Sequence, residues 1–200
     1  MILKSQQGRG TKIHILLDDE YAVTTDVDSW AEFFVPDGTD VSEEEWQELL
    51  EKINYRKAYN KCADLLSRRE HSVSELRFKL LRTVDENSAN KAIEKFTEMG
   101  YLDDERYAKN YARHLAARKN YSLPHIRQEL YSKGLSKDVI DATLNDLEVD
   151  DNESIKAIVR KNYLAKLGED GGKQKVVTAL LRRGFSYDDI KHALNEIENE

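Results

Sequence analysis

Two short segments of this 200-residue sequence resemble sites of chemistry. Residues 168–174 resemble a phosphate-binding glycine loop, but the glycines are one residue too close, Gln174 replaces the metal-binding hydroxyl, and two acids would repel phosphate. Asp103 and Asp104 are adjacent carboxylates, which can perform acid–base catalysis. They precede a helical run, however, where Asp103 suits the N-cap and Asp104 complements the helix dipole. We therefore predict a helix connector and a helix start rather than an active site.

The histidines and the single cysteine supply no site either. The histidines are scattered over different predicted elements and form no H-x-x-x-H pair: His14, His71, His114, His125 and His192. Cys62 cannot form an intramolecular disulfide, and the apolar residues at helical spacing around it predict a buried helix face. Because no nucleophile, base or metal-ligand set is assembled by spacing, we expect no enzyme, no cofactor and no metal.

Arginine and lysine are the remaining candidates, and their distribution is periodic. Basic residues outnumber acidic residues by 8 to 3 over residues 56–82, by 7 to 4 over 101–134 and by 8 to 2 over 155–186. In the segments between and after them the order is reversed: acidic residues outnumber basic residues by 7 to 1 over 135–153 and by 5 to 1 over 187–200. If the first and second helices of each unit are basic and the units stack, they would present a basic stripe to an acidic protein surface or to phosphates. The alternative is that these basic residues lie on ordinary helix faces that contact only solvent. The candidate contact residues are Arg68, Arg69, Arg77, Arg113, Arg118, Lys119, Arg127, Lys133, Arg182 and Arg183.

The net charge of −7 is distributed unevenly along the chain. Residues 1–55 contain 4 basic and 13 acidic side chains, so the remaining residues are slightly basic. The N-terminus has no apolar core of signal-peptide length, and no stretch approaches the roughly 18 apolar residues that a membrane span needs. We expect a cytoplasmic protein with an acidic N-terminal extension.

An internal repeat of fifty residues organises the candidate residues. The shift aligns Ser72 with Ser122, Leu76 with Ile126, Leu80 with Leu130, Gly134 with Gly184, Leu135 with Phe185 and Ser136 with Ser186. The serines occur where helix N-caps are needed, and the glycines where a helix must end in a left-handed residue. Each unit is too small to bury a sufficient core alone, so we predict that neighbouring units stack into an elongated or curved array.

The predicted fold is therefore mainly α, a tandem array of three three-helix repeats preceded by a small extension that contains a β-hairpin. Residues 11–17 and 21–25 are β-rich and flank an acidic turn. Because a hairpin alone is marginally stable, it must pack on something. Ser42 and Glu45 form a capping box that starts a helix. We predict boundaries at 1–55 for the extension and at 56–100, 101–150 and 151–200 for the repeats.

Four motifs follow one another along the chain: Ser72-Val-Ser-Glu-Leu-Arg-Phe-Lys-Leu80, Gly100-Tyr-Leu-Asp-Asp-Glu-Arg-Tyr-Ala108, Ile126-Arg-Gln-Glu-Leu-Tyr-Ser-Lys-Gly134 and Arg182-Arg-Gly-Phe-Ser186. Taken in this order, they closely resemble the RecX family of bacterial recombination regulators. The family-motif positions, to which we assign structural roles, are Leu76, Leu80, Gly100, Tyr101, Leu102, Asp103, Asp104, Tyr107, Ala108, Gly134, Gly184 and Phe185.

The resemblance implies three tandem three-helix repeats that bind the RecA recombinase filament on DNA. It further implies modulation, usually inhibition, of ATP hydrolysis, strand exchange and the co-protease activity that triggers the SOS response. We expect a monomer whose partners are the RecA filament and single- or double-stranded DNA. The alternative is a helical-repeat protein that acts directly on DNA, although a helix-turn-helix reader would bring the acidic third helices to the phosphates at a cost.

Overall fold

The computed structural model describes residues 1–199 and divides into two compact units, Met1–Leu102 and Asp103–Glu200. The first unit contains, in chain order, β1 (Ile2–Gln7), β2 (Lys12–Leu17), β3 (Glu20–Asp26), α1 (Val27–Phe33), β4 (Thr39–Asp40), α2 (Glu43–Arg68), α3 (Val73–Leu80) and α4 (Glu86–Glu98). The second unit contains α5 (Asp104–Lys119), α6 (Leu123–Ser132), α7 (Lys137–Asn145), α8 (Asp151–Asn162), α9 (Leu164–Leu167), α10 (Gly172–Leu181) and α11 (Tyr187–Glu198). This mainly helical architecture with a small N-terminal sheet confirms the predicted fold class. None of the helices described between residues 1 and 199 is long and apolar enough to cross a membrane.

The N-terminal sheet is larger than the predicted hairpin. Within the described residues 1–102, the strands lie in the order β3-β2-β1-β4, and all neighbours are antiparallel. The hairpin itself is β2 and β3, and its turn uses left-handed backbone at Asp18 (φ 49°) and Asp19 (φ 68°). Strand β1 has Leu3 as the buried residue among its six, so it lacks the alternation that marks a half-buried strand in sequence.

The sheet is supported by packing, as a marginal hairpin requires. Leu3, Ile13 and Ile15 form one buried cluster with Trp30 of α1 and Trp46 of α2. The two indoles provide the large apolar area that an isolated two-stranded ribbon lacks.

Helix α2 joins the extension to the first repeat without a break. The predicted capping box is present, since Ser42 accepts from the Glu45 amide and the Glu45 carboxylate accepts from the Ser42 amide. Ile53 packs in the core of the sheet, whereas Ala58 and Cys62 pack in the core of the first repeat. The predicted boundary between residues 55 and 56 therefore falls inside one 26-residue helix, because no glycine or proline interrupts it.

The repeats have the helix ends that the fifty-residue pattern predicts. Each predicted N-cap side chain accepts a hydrogen bond from the amide three residues later, at Ser72, Ser122, Ser136 and Ser186. Gly134 (φ 72°) and Gly184 (φ 82°) take the left-handed backbone that ends the preceding second helix. Cys62 is fully buried, and this burial raises the pKa of its thiol to about 12, as expected for a core residue.

The glycine-rich segment at residues 168–174 connects α9 to α10. Gly171 precedes α10 with a φ of +66°, and Gly172 is buried as the first residue of the helix. A Cβ on Gly172 would lie 1.7 Å from the carbonyl oxygen of Lys166. Close backbone approach therefore explains this glycine, and the segment is a connector, as predicted.

We expect Gly172→Ala to lower the free energy of unfolding by about 2 kcal/mol, because the Lys166 carbonyl must move to admit the methyl group. Urea denaturation followed by circular dichroism measures the loss. Gly168→Ala is the matched control, since its Cβ would meet the nearest heavy atom only at 4.0 Å. Equal midpoints for the two variants would show that the connector tolerates a side chain at position 172.

Candidate partner-binding surface

The motif around Gly100 ends one helix of the first unit. Gly100 has a φ of 75°, and the amides of Tyr101 and Leu102 donate to the carbonyl of Phe96 at 2.9 and 3.2 Å. Leu102 is buried, whereas Tyr101 is exposed and its ring lies 6.0 Å from that of Phe96. These contacts satisfy the carbonyl group of Phe96 in the last turn of α4, so the motif terminates this helix.

The adjacent carboxylates begin helix α5. Asp103 accepts from the Arg106 amide at 2.9 Å, and Asp104 is the first residue of the helix. Tyr107 and Ala108 are buried in the core of the second repeat. The arrangement stabilises a helix N-terminus, and within the described residues no histidine, cysteine or further carboxylate joins the pair to form a metal cluster.

Three predicted contact residues of the first unit are bound by its own carboxylates. The pairs are Arg68 with Asp64 at 2.7 Å, Arg69 with Glu75 at 2.9 and 3.0 Å, and Arg77 with Glu86 at 3.4 Å. Exposed ion pairs contribute only about 0–1 kcal/mol each, so a partner's acidic group could replace these carboxylates at little cost. If the arginines of the first repeat contact a partner as predicted, they must exchange their own carboxylates for those of the partner.

Arg127 and Lys133, on the second helix of the second repeat, are also engaged. Arg127 is hydrogen bonded to Asp141 of α7, and this bond, together with one to the Tyr131 hydroxyl, raises the pKa of Arg127. Lys133 lies 5.5 Å from the ring centroid of Tyr111, at a distance suited to a cation–π contact. An acid of the third helix thus holds an arginine of the second, which the charge pattern alone did not predict.

The C-terminal half of α5 carries exposed cations of a different kind. Arg113, Arg118 and Lys119 are exposed and make no ion pair with any residue that the structure describes. Arg113 borders a groove of about 490 Å³ whose wall also includes Glu148 and Asp150. Arg118 and Lys119 are therefore the clearer candidates for a partner's acidic groups, because no acids of the same groove compete for them.

Arg182 and Arg183 lie where the third repeat meets the second. Ser122, the fully buried N-cap of α6, donates its hydroxyl to the carbonyl of Arg183 at 2.8 Å. A Cβ on Gly184 would lie 2.7 Å from the same hydroxyl oxygen. The C-terminal end of α10 is therefore held against the N-terminal end of α6, which brings cations of the third repeat next to the second.

The sequence interpretation missed one exposed position of the second helices. Leu81, Tyr131 and Leu181 are aligned by the fifty-residue shift, and each is exposed although it follows a fully buried leucine. In sequence, an apolar residue beside a core leucine is indistinguishable from core, so the alignment alone could not reveal the exposure.

His71 is a buried histidine with a fixed local role. Its Nδ1 lies 3.0 Å from the carbonyl oxygen of Arg69, and its Nε2 lies 2.8 Å from Nζ of Lys79. Since a carbonyl oxygen only accepts and an ammonium group only donates, Nδ1 carries the proton and Nε2 accepts. Burial, with the nearby charges of Arg69 and Lys79, lowers the pKa of His71, although the hydrogen bond to the Arg69 carbonyl and the neighbouring Glu75 oppose this shift.

This environment predicts a stability that depends on pH. Because the pKa of His71 is lower in the folded protein than its ordinary value of 6.5, the unfolded chain binds the proton more readily as the pH falls below 6.5. We expect the wild type to lose more stability between pH 7.5 and pH 5 than His71→Gln does, as measured by urea denaturation. His114→Gln, which changes an exposed histidine, should retain the wild-type pH dependence. Parallel profiles for wild type and His71→Gln would contradict the assignment.

The three repeats match known domains in their order along the chain. The first, second and third three-helix domains of RecX match residues 58–96, 103–144 and 150–194, which together exceed half of the chain. Regulatory protein RecX of Clostridium botulinum (strain Eklund 17B / Type B) is 30% identical over 208 residues, covering 98% of this chain and 95% of the relative. The chain belongs to the RecX family.

Further RecX relatives match the extension as well as the repeats. Regulatory protein RecX of Clostridioides difficile (strain 630) is 27% identical over 200 residues, covering 98% of this chain and 94% of the relative. A crystal structure of regulatory protein RecX has the same fold, with a TM-score of 0.65 and 24% identity over 97% of this chain and 98% of that chain. The relatives are named as regulatory proteins, and the family assignment predicted from the motifs is confirmed.

Proposed function

We propose that the protein binds the RecA nucleoprotein filament and inhibits its ATPase, strand-exchange and co-protease activities. The observation that carries the proposal is the ordered match of all three repeats to the three RecX domains. The protein acts by binding, without turnover or a cofactor of its own, and it acts in the cytoplasm.

The proposed mechanism depends on several weak contacts made together. Tandem repeats can contact a filament at several points at once, and each contact raises the effective concentration of the next. Exposed cations on α5, chiefly Arg118 and Lys119, are suited to acidic protein surface or to DNA phosphates. A chain attached at several points along a filament would resist the changes between its subunits that ATP turnover requires.

The test is RecA ATPase on single-stranded DNA, with and without substoichiometric amounts of this protein. We expect the rate of ATP hydrolysis by RecA to fall even when the assay contains more single-stranded DNA than the added protein could bind. The matched control is the same assay with the charge-reversed variant described in the Discussion. An unchanged rate at equimolar protein would contradict the proposed function.

The second candidate function is direct binding to DNA. It is favoured by Arg113, Arg118 and Lys119 in the C-terminal half of α5, which have no carboxylate partner among the described residues. It predicts tight binding to naked DNA with a steep salt dependence, since each phosphate contact releases counterions. Filament inhibition that disappears when excess naked DNA is added, with equal affinity for DNA and filament, would favour this second function.

A further inference from the structure

One position of the repeat exposes a large apolar side chain in each copy. Leu81, Tyr131 and Leu181 are exposed to 45%, 46% and 44%, although the residue before each one is a fully buried core leucine. A single exposed leucine is ordinary on a protein surface. Three aligned positions with nearly equal exposure are not explained by the repeat cores, which already contain the preceding leucines.

Each exposed apolar residue is followed closely by a cation. Arg82 follows Leu81, Lys133 lies two residues after Tyr131, and Arg182 and Arg183 follow Leu181. Cations at a helix C-terminus complement the helix dipole, which accounts for their charge but not for the apolar residue beside them. The combination therefore points outward, to a partner with an apolar contact and an acidic border.

In the second unit the spacing between two of these positions is set by a direct contact. The hydrogen bond from Ser122 to the Arg183 carbonyl holds the end of α10 against the start of α6. Leu181 is the last residue of α10, and Tyr131 lies near the end of the ten-residue helix α6. About 15 Å of helix therefore separates the two positions.

We propose that Leu81 on the first unit, and Tyr131 and Leu181 on the second, are protein-docking residues, and that each of these apolar side chains enters an apolar depression bordered by carboxylates on a repeating protein polymer. The docking proposal rests on the proposed function, in which the repeating polymer is the RecA filament. Leucine at two of the three positions favours protein over nucleic acid, since bases are held by stacking on flat rings and an aliphatic side chain offers none. The apolar residue that recurs in each repeat of this chain would then match a depression that recurs in each subunit of the partner.

The test uses truncations that leave the cores intact. Leu81→Ser, Tyr131→Ser and Leu181→Ser are measured singly and together for affinity to RecA filaments on single-stranded DNA, by biolayer interferometry. We expect a loss of about 5- to 10-fold for each single variant and about 100-fold for the triple variant. Far-UV circular dichroism and urea midpoints confirm that the variants fold. Tyr131→Phe, which keeps the ring and removes only the hydroxyl bonded to Arg127, should bind like wild type.

The matched controls are exposed apolar residues at other positions. Leu164→Ser and Tyr187→Ser remove side chains that are exposed to 54% and 59%, and both should bind the filament like wild type. A triple variant that binds like wild type overturns the docking role of the three residues while leaving the proposed function standing. A wild type that does not bind the filament overturns both. Affinity for naked single-stranded DNA should change less than twofold in the triple variant, and a parallel loss on DNA would overturn the assignment to a protein partner.

Discussion

Gly184→Ala should lower the free energy of unfolding of this RecX family protein by about 3 kcal/mol. The left-handed backbone at Gly184, with a φ of +82°, costs about 1–2 kcal/mol for an L-residue. The added Cβ would also lie 2.7 Å from the Ser122 hydroxyl oxygen, and overpacking of this kind costs about 1–3 kcal/mol. Because Ser122 is the buried N-cap of α6, the strain acts at the contact between the second and third repeats.

The two causes can be separated with matched variants. Gly100→Ala introduces the same methyl group at a φ of +75° with no heavy atom within 4 Å, so it should show the backbone cost alone. Ser122→Ala removes the hydroxyl, and combined with Gly184→Ala it should cost less than the sum of the single changes. Additive losses, or equal losses for Gly184→Ala and Gly100→Ala, would mean that the repeats are not joined through this contact.

Charge reversal at the end of α5 should weaken binding to the RecA filament about 100-fold without unfolding the protein. Arg118 and Lys119 are exposed and make no ion pair with any residue described in the structure, so Arg118→Glu with Lys119→Glu breaks no ion pair. The change removes only the favourable interaction of these two cations with the α5 dipole, about 0.3–1 kcal/mol each. The variant places two negative charges opposite acidic groups of the partner, which repel them strongly at low salt and weakly at 1 M. ATPase inhibition and filament affinity at two salt concentrations measure the effect.

The control carries the same change of net charge on other helices. Lys137 and Lys191 are exposed on the third helices α7 and α11, so Lys137→Glu with Lys191→Glu should preserve inhibition. Arg127 is a poorer test of the surface, because its substitution also removes the bond to Asp141. Full inhibition by the α5 variant would exclude these cations from the contact.

Local chemistry made much of the repeat architecture predictable. Serine hydroxyls at N-caps accept from amides only three residues away, and glycines at helix ends adopt a left-handed backbone at their own position, so the roles of both could be inferred from spacing. The same holds for Asp103 as a helix start and for Cys62 as core. Strand β1 was missed because its support comes from residues far along the chain, in β2 and in β4.

The functional surface was less predictable than the fold. Counting charges located basic segments, but it could not show that Arg69 and Arg127 are already held by Glu75 and Asp141. Ion pairs between different helices depend on side-chain distances of a few ångströms, which sequence spacing does not determine. Of the predicted contact residues, Arg68, Arg69, Arg77, Arg127 and Lys133 are engaged within their own unit. Arg113, Arg118 and Lys119 are exposed and make no ion pair with a described residue.

The amino-acid sequence by itself determined the repeat, the serine N-caps and glycine ends of its helices and, through its motifs, the RecX family. These depend on periodicity and on short-range hydrogen bonds, which are written in neighbouring residues. Only the tertiary structure decided that α2 runs unbroken from the sheet into the first repeat, that Ser122 joins the third repeat to the second, and that Leu81, Tyr131 and Leu181 are exposed. Each of these features depends on which surfaces of distant segments pack together. Whether a side chain is buried or exposed is decided by that packing and not by the type of the residue.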